Sequence, residues 1–179
     1  MYYILRPIFR DETVSIDKMS HRRYSITLGE KMPPDFPEPM LFEIDTTIGG
    51  GLMPTIFLPD TVFSLEFIDA LRSAGVDNFD TYKALITNPD TGEKIENYRA
   101  VNIIGRVACA DLSASGYDKL AGSCVMRRLV IKPERARGAY MFRLHEDAIQ
   151  ILVSDHVVQH LPLARFPDVA FIPVDESPS

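Results

Sequence analysis

Tryptophan is absent from the sequence, and only two cysteines and four histidines occur in 179 residues. Two cysteines in a chain this long make no disulfide scaffold, and a core is affordable without one. Cys109 lies in the apolar run Val107-Ala108-Cys109-Ala110, which reads as a buried thiol of a reducing compartment. A bridge to Cys124 stays open, although nothing requires it. No stretch approaches the roughly 18–20 apolar residues of a membrane-spanning helix. The start, Met1-Tyr2-Tyr3-Ile4-Leu5-Arg6-Pro7, lacks the apolar run of a secretion signal. A soluble, cytoplasmic protein is expected.

An excess of positive charge is also missing. The formal net charge is −6, which argues against nucleic-acid and anionic-membrane partners. The deficit is concentrated. Residues 41–100 hold ten acids against four bases, whereas residues 1–40 and 101–179 each balance. A basic run follows at Arg127, Arg128, Lys132, Arg135 and Arg137; its plain reading is surface charge flanking strands, its alternative a site for an anionic partner.

What is present is a pattern of short strands with few helices. Residues 2–9 and, weakly, 24–28 read as strands. Pro33-Pro34-Asp35-Phe36-Pro37-Glu38-Pro39 removes backbone donors and fixes φ, so an extended linker is expected there. The division that follows is 1–40 as a strand segment with a Pro-rich linker, 41–176 as the main domain and 177–179 as a polar tail. Within the main domain 41–45 is a short strand. Ser64 caps a helix whose Leu65, Ile68 and Leu71 share a face, and Gly75 ends it in a left-handed cap. Tyr82–Thr87, the turn Asn88-Pro89-Asp90-Thr91-Gly92 and a return strand from Ile95 make a hairpin. Tyr98–Ala110 is a central strand or a bent pair, with Gly105 permitting the bend. Strands are further expected at Arg128–Ile131, Tyr140–Leu144, Ala148–Val153 and Val169–Val174, with a second short helix opened by Ser154 over Asp155–Leu161. Two serine-opened helices that each lead to a strand form a faint internal echo. The fold class is α+β: a mixed, mostly antiparallel β-sheet with two or three packed helices.

Catalytic signatures are weak. His156 and His160 share a helix face at a two-histidine metal spacing, but the intervening Val157-Val158-Gln159 supplies no catalytic Glu. A third ligand would have to come from His145-Glu146-Asp147 through the fold, and the pair reads more simply as surface histidines. Gly49-Gly50-Gly51 lacks the spacing of a phosphate loop. Asp111-Leu112-Ser113-Ala114-Ser115-Gly116 is not a nucleophile elbow. Cys109 in its apolar setting is a poor thiolate. No cofactor and no metal are expected. The acidic middle is the feature worth keeping. Asp77, Asp80, Asp90, Glu93 and Glu96 lie in or beside loops, where carboxylates can complement a basic partner. The plainer reading is a solvated face that aids solubility.

Several blocks resemble a known family. They are Phe63-Ser64, Leu71, Ala74-Gly75-Val76-Asp77-Asn78, Tyr82-Lys83-Ala84 and Thr91-Gly92-Glu93. Then come Tyr98-Arg99-Ala100-Val101-Asn102-Ile103-Ile104-Gly105, Cys109-Ala110-Asp111-Leu112, Met141-Phe142-Arg143-Leu144-His145-Glu146, Ile151-Leu152-Val153-Ser154 and Asp168–Val174. In this order they resemble the eleventh family of bacterial polymorphic-toxin immunity proteins, formerly a domain of unknown function. The likeness covers about two thirds of the chain, from Phe63 to Glu176, and departs at Phe166-Pro167, where a glycine is expected. It implies a non-catalytic protein that binds and neutralises the C-terminal domain of a toxin encoded beside it. Such toxins are often nucleases delivered by contact-dependent or type VI secretion. The resemblance carries over no catalytic or contact residue. A metal-dependent hydrolase using His156 and His160 is the alternative. Oligomeric state is not legible.

Overall fold

The computed structural model describes residues 1–9, 13–20, 25–47, 50–57, 60–120 and 123–176, without the side chains of residues 18, 119–120, 123–126 and 176. The chain runs through β1 (Tyr2–Pro7), β2 (Ile16–Lys18), β3 (Met40–Ile44), β4 (Thr55–Ile56), β5 (Val62–Ser64), α1 (Leu65–Ser73) and β6 (Phe79–Thr87). It continues through β7 (Lys94–Ile95), β8 (Tyr98–Ile103), β9 (Arg106–Val107), β10 (Gly116–Leu120), β11 (Ser123–Arg128) and β12 (Val130–Ile131). After a 3₁₀ turn at Pro133–Ala136 come β13 (Met141–Leu144), β14 (Ile151–Ser154), α2 (Asp155–His160), β15 (Val169–Pro173) and β16 (Asp175–Glu176).

Two sheets dominate. One has five strands in the order β15-β1-β14-β13-β9. The other has seven, along β2-β3-β6-β8-β5-β4, with β7 paired to β6. Most pairings are antiparallel; β3–β6 and β9–β13 are parallel. The α+β expectation of a mixed, mostly antiparallel sheet therefore holds in broad terms. The helical share is smaller than two or three packed helices suggests: two α-helices are present among the described residues, of nine and six residues.

The main core forms where both sheets meet both helices. Phe63, Val101 and Ile103 come from the seven-stranded sheet, Leu5, Ile151 and Val153 from the five-stranded one, and Phe67, Ile68, Leu71 and Val157 from the helices. Each such side chain contributes roughly 1.5–3 kcal/mol by leaving water. The buried stripe of α1 is Phe67, Ile68, Ala70 and Leu71. Leu65 faces outward at 37% exposure, because the first helical position points away from the face that Phe67 fills. A second cluster, with Ile26, Phe36, Met40, Phe42 and Ile86, covers the other face of the seven-stranded sheet. Tyr2, Phe142, Leu144, Leu152 and Ile131 form a third, behind the five-stranded sheet.

Two local expectations change. Tyr24 lies outside the described residues, and Ser25–Leu28 turn instead of forming a strand, with the Ser25 and Thr27 hydroxyls 2.7 Å apart. The Pro-rich stretch also folds back on itself. Phe36 N–H donates to the Pro33 carbonyl at 3.0 Å, and the Phe36 ring buries against Tyr82 at 4.7 Å between centroids. The first strand, β1, is flanked on both sides by β14 and β15 from the end of the chain.

The echo of two serine-opened helices has a structural counterpart. β5 and β6, joined by α1, lie parallel to each other on either side of the antiparallel β8. β14 and β15, joined by α2, lie parallel on either side of the antiparallel β1. Each unit also has one antiparallel strand on its outer side, β4 against β5 and β13 against β14.

Candidate partner-binding surface

The acids of the middle segment are set out by β6. Asp77 is exposed in the connection from α1, and Asp80 is half-buried on the strand, opposite Asn102 of β8. Asp90 lies in the turn beyond the far end of β6, Glu93 just before β7 and Glu96 just after it, all three exposed. A strand rises about 3.3 Å per residue, so β6 spans roughly 26 Å from Phe79 to Thr87. Asp77 and Asp80 lie at one end and Asp90 and Glu93 at the other, with Glu96 beside the second half of the strand, where Ile95 pairs with Ile86. Glu96 also shares a hollow of about 270 Å³ with Lys83 and Arg99, so its charge is locally opposed.

The Asp77 end is richer in chemistry. Asn78 fixes it: its side-chain amide donates to the carbonyls of Ile104 at 3.2 Å and Met141 at 2.9 Å. The start of β6 is thus tied to the chain entering β9 and to the start of β13. A hollow of about 300 Å³ opens there, lined by Asp77, Asn78, Gly138, Ala139, Tyr140 and Met141. Tyr140 is 41% exposed and stacks on His156 at 4.6 Å between centroids. Gly75 makes room for it: φ is +85°, and a Cβ there would lie 3.1 Å from Tyr140 Cε2.

Next along the chain lies a basic hollow of about 500 Å³, lined by Arg106, Val107, Ala108, Arg135, Ala136 and Arg137. Arg137 and Gly138 are consecutive, and Asn78 of the first hollow binds the Ile104 carbonyl two residues before Arg106, so the two linings are linked through both segments. Arg106 is presented by β9, the edge strand of the five-stranded sheet. Its stem runs past Gly29, where a Cβ would lie 3.2 Å from Arg106 Cγ. Arg135 and Arg137 flank buried Ala136 on the 3₁₀ turn, and Arg137 has φ +50°, in the left-handed region.

The basic run itself divides. Arg127 pairs with Asp118 at 2.5 Å, Arg128 with Asp175 at 2.8 Å and Lys132 with Asp111 at 3.6 Å. Arg135, Arg137 and Arg106 have no ion-pair partner among the described residues.

The enzyme-like motifs take structural roles. His156 and His160 stack on each other at 4.1 Å, and His160 Nδ1 sits 2.7 Å from the His156 carbonyl. No group of three His, Cys, Asp or Glu side chains is placed to hold a metal among the described residues. Asp111 caps a turn, accepting from Ser113 N–H at 3.1 Å, while Ser115 Oγ donates to the Val130 carbonyl at 3.1 Å. Gly51 bridges to Thr13; Gly49 lies outside the described residues. Burial, and then the Glu146 carboxylate, push the Cys109 thiol up to about 12, so it is no nucleophile.

Residues 6–176 match the model of the Imm11 immunity protein family. The chain belongs to that family. A search of the curated proteins gave no match. In this Imm11 chain the residues that the sequence reading passed over are Arg106, Tyr140 and Arg143. Arg143 is 1% exposed; its guanidinium donates to the Ala148 carbonyl at 2.8 Å and to Thr61 Oγ1 at 2.6 Å. Thr61 leads into β5 and Arg143 belongs to β13, so the contact joins the two main sheets. Burial lowers the Arg143 pKa to about 10, against the raising effect of Asp60. The guanidinium stays cationic at neutral pH. Its position in Met-Phe-Arg-Leu gave no sign of this, because both acceptors are distant in sequence or in the next turn.

Proposed function

We propose that this chain is a toxin-neutralising immunity protein that acts by forming a stoichiometric complex, not by catalysis. Membership of the immunity family across residues 6–176 carries this reading. The partner is the C-terminal domain of a toxin encoded by the adjoining gene. A nuclease effector delivered by contact-dependent or type VI secretion suits it best, since such a toxin acts in the cytoplasm and presents a basic cleft. No helix among the described residues is long and apolar enough to cross a membrane, which is compatible with a cytoplasmic site of action.

The surface we assign to the toxin is the end where β6 begins, with Asp77, Asp80 and Tyr140. Carboxylates there oppose a basic cleft, and an exposed tyrosine is a common anchor of protein interfaces. A tight complex of this kind buries about 1,200–2,000 Å² in total. The test is expression of the toxic domain in a sensitive host, with and without this protein. Rescue of growth with co-purification of a one-to-one complex is the expected result. Unchanged killing, with no complex at micromolar concentrations, overturns the reading.

A further inference from the structure

We infer that the hollow between β9 and the Pro133–Ala136 turn receives a carboxylate-bearing segment of the toxin, with Arg106, Arg135 and Arg137 as its ligands. This rests on the immunity reading above and extends it to a second, oppositely charged part of the same surface.

The argument begins with selective pairing. In the run from 127 to 137 the first three basic side chains are each answered by a carboxylate of this chain. The last two have no such partner among the described residues, and the fold adds Arg106 to them from a separate strand. Three guanidiniums lining one hollow repel one another unless an anion enters. In an acidic chain of net −6, carboxylates were available to neutralise them. Arg137 also occupies a left-handed backbone conformation, one that L side chains adopt at a cost and that gathers at binding sites. Arg106 keeps its place because Gly29 leaves space for its stem.

The occupant follows from the lining. A guanidinium presents a planar fork that matches a carboxylate or a phosphate. Single-stranded nucleic acid is usually held by aromatic side chains on which bases stack, and the lining contains none. The net negative charge of the chain opposes a polyanion further. A volume of about 500 Å³ admits a few side chains of a protein segment. The linked hollow with Asp77 and Tyr140 makes the whole surface mixed in charge, which fixes the orientation of a partner that is itself mixed.

The experiment titrates the C-terminal toxin domain encoded by the adjoining gene into three forms of the full chain by calorimetry, at two salt concentrations. They are the wild type, R106Q/R135Q/R137Q, and R127Q/R128Q/R165Q. The third removes the same charge from exposed side chains that already have partners, including the Arg165–Glu66 pair. Thermal unfolding of all three forms reports whether folding is intact. The expected result is affinity about tenfold weaker or worse for the first triple variant, with a shallower salt dependence, and near wild-type affinity for the second. Equal weakening in both variants, or in neither, overturns the groove assignment while leaving the immunity reading standing. No complex with the wild-type chain overturns both. Binding of a fluorescein-labelled single-stranded DNA by the wild type, lost in R106Q/R135Q/R137Q, makes the occupant a nucleic acid and overturns the carboxylate assignment.

Discussion

At the scale of single residues, burial decides what a reactive group can do. Cys109 is fully buried, and its thiol is held protonated to about pH 12 against an ordinary value of 9.0. Two consequences follow. The native thiol should not react with iodoacetamide at pH 8, and the peptide containing Cys109 should be alkylated only after unfolding in urea. The alkaline side of the stability profile should also feel it. Below pH 9 the thiol is protonated in both states and adds no slope. Above pH 9 the unfolded chain ionises while the folded one does not. Stability should therefore fall there by about 1.4 kcal/mol per unit from this group alone. Tyr98, raised by burial, and Tyr82, raised chiefly by burial, add to the fall at higher pH. Urea titrations from pH 8 to 11 on the wild type and Cys109→Ala check this. The variant should lose part of the slope, and rapid alkylation of native Cys109 contradicts the account.

At the scale of elements, two helices with the same opening in sequence are held by different physics. Ser64 caps α1 by accepting from Phe67 N–H at 3.2 Å. Ser154 occupies the same position before α2, but its hydroxyl makes no capping bond and is buried without a partner among the described residues. Asp155 anchors that helix instead: it accepts from Tyr3 Oη at 3.1 Å, and its backbone N–H donates to the Met1 carbonyl at 2.9 Å. Ser64→Ala should cost about 1 kcal/mol, the usual loss for a cap. Ser154→Ala should stay within about 0.5 kcal/mol of wild type, since no bond is lost and a buried unpaired hydroxyl is removed. Equal costs in urea denaturation would contradict this.

The same scale shows what could be read from the chain beforehand. The Asn88–Gly92 turn and its flanking strands were legible because turn chemistry is local: Gly92 N–H donates to the Asn88 carbonyl at 2.8 Å, and Asn88 Oδ1 accepts from Asp90 N–H at 3.0 Å. Gly105 was legible as a bend, and with φ +94° it lets β8 of one sheet pass into β9 of the other. The bend itself could be read, but not the change of sheet. Nor could the burial of Phe36, which turns the Pro-rich stretch back, because Tyr82 lies far along the sequence. The candidate site was half legible. Its acids stand out in composition, whereas the division of arginines into paired and unpaired depends on Asp118, Asp175 and Asp111, whose proximity only the fold creates.

At the scale of the whole molecule, the position of charge matters more than its sum. The acidic excess of residues 41–100 reads as one block in sequence, yet the fold spreads it over several elements, and β6 holds apart Asp77 and Asp80 from Asp90, Glu93 and Glu96. One end combines Asp77 and Asp80 with Tyr140 and the arginine hollow. The other combines Asp90, Glu93 and Glu96 with Lys83 and Arg99 nearby. A partner docked over the first end meets Asp77 and Asp80 at short range and feels the other acids mainly from beyond a Debye length, about 8 Å at physiological salt. Steering by complementary charge acts on the association rate. Asp77→Lys/Asp80→Lys should therefore slow association with a basic toxin domain by roughly tenfold at low salt and flatten its salt dependence. Asp90→Lys/Glu93→Lys/Glu96→Lys, a larger change in net charge, should leave the rate within about threefold at physiological salt. Stopped-flow association kinetics over a salt series separates the two. If the second variant is the slower one, the toxin sits over the hairpin end, and neither Asp77 nor the arginine hollow belongs to its surface.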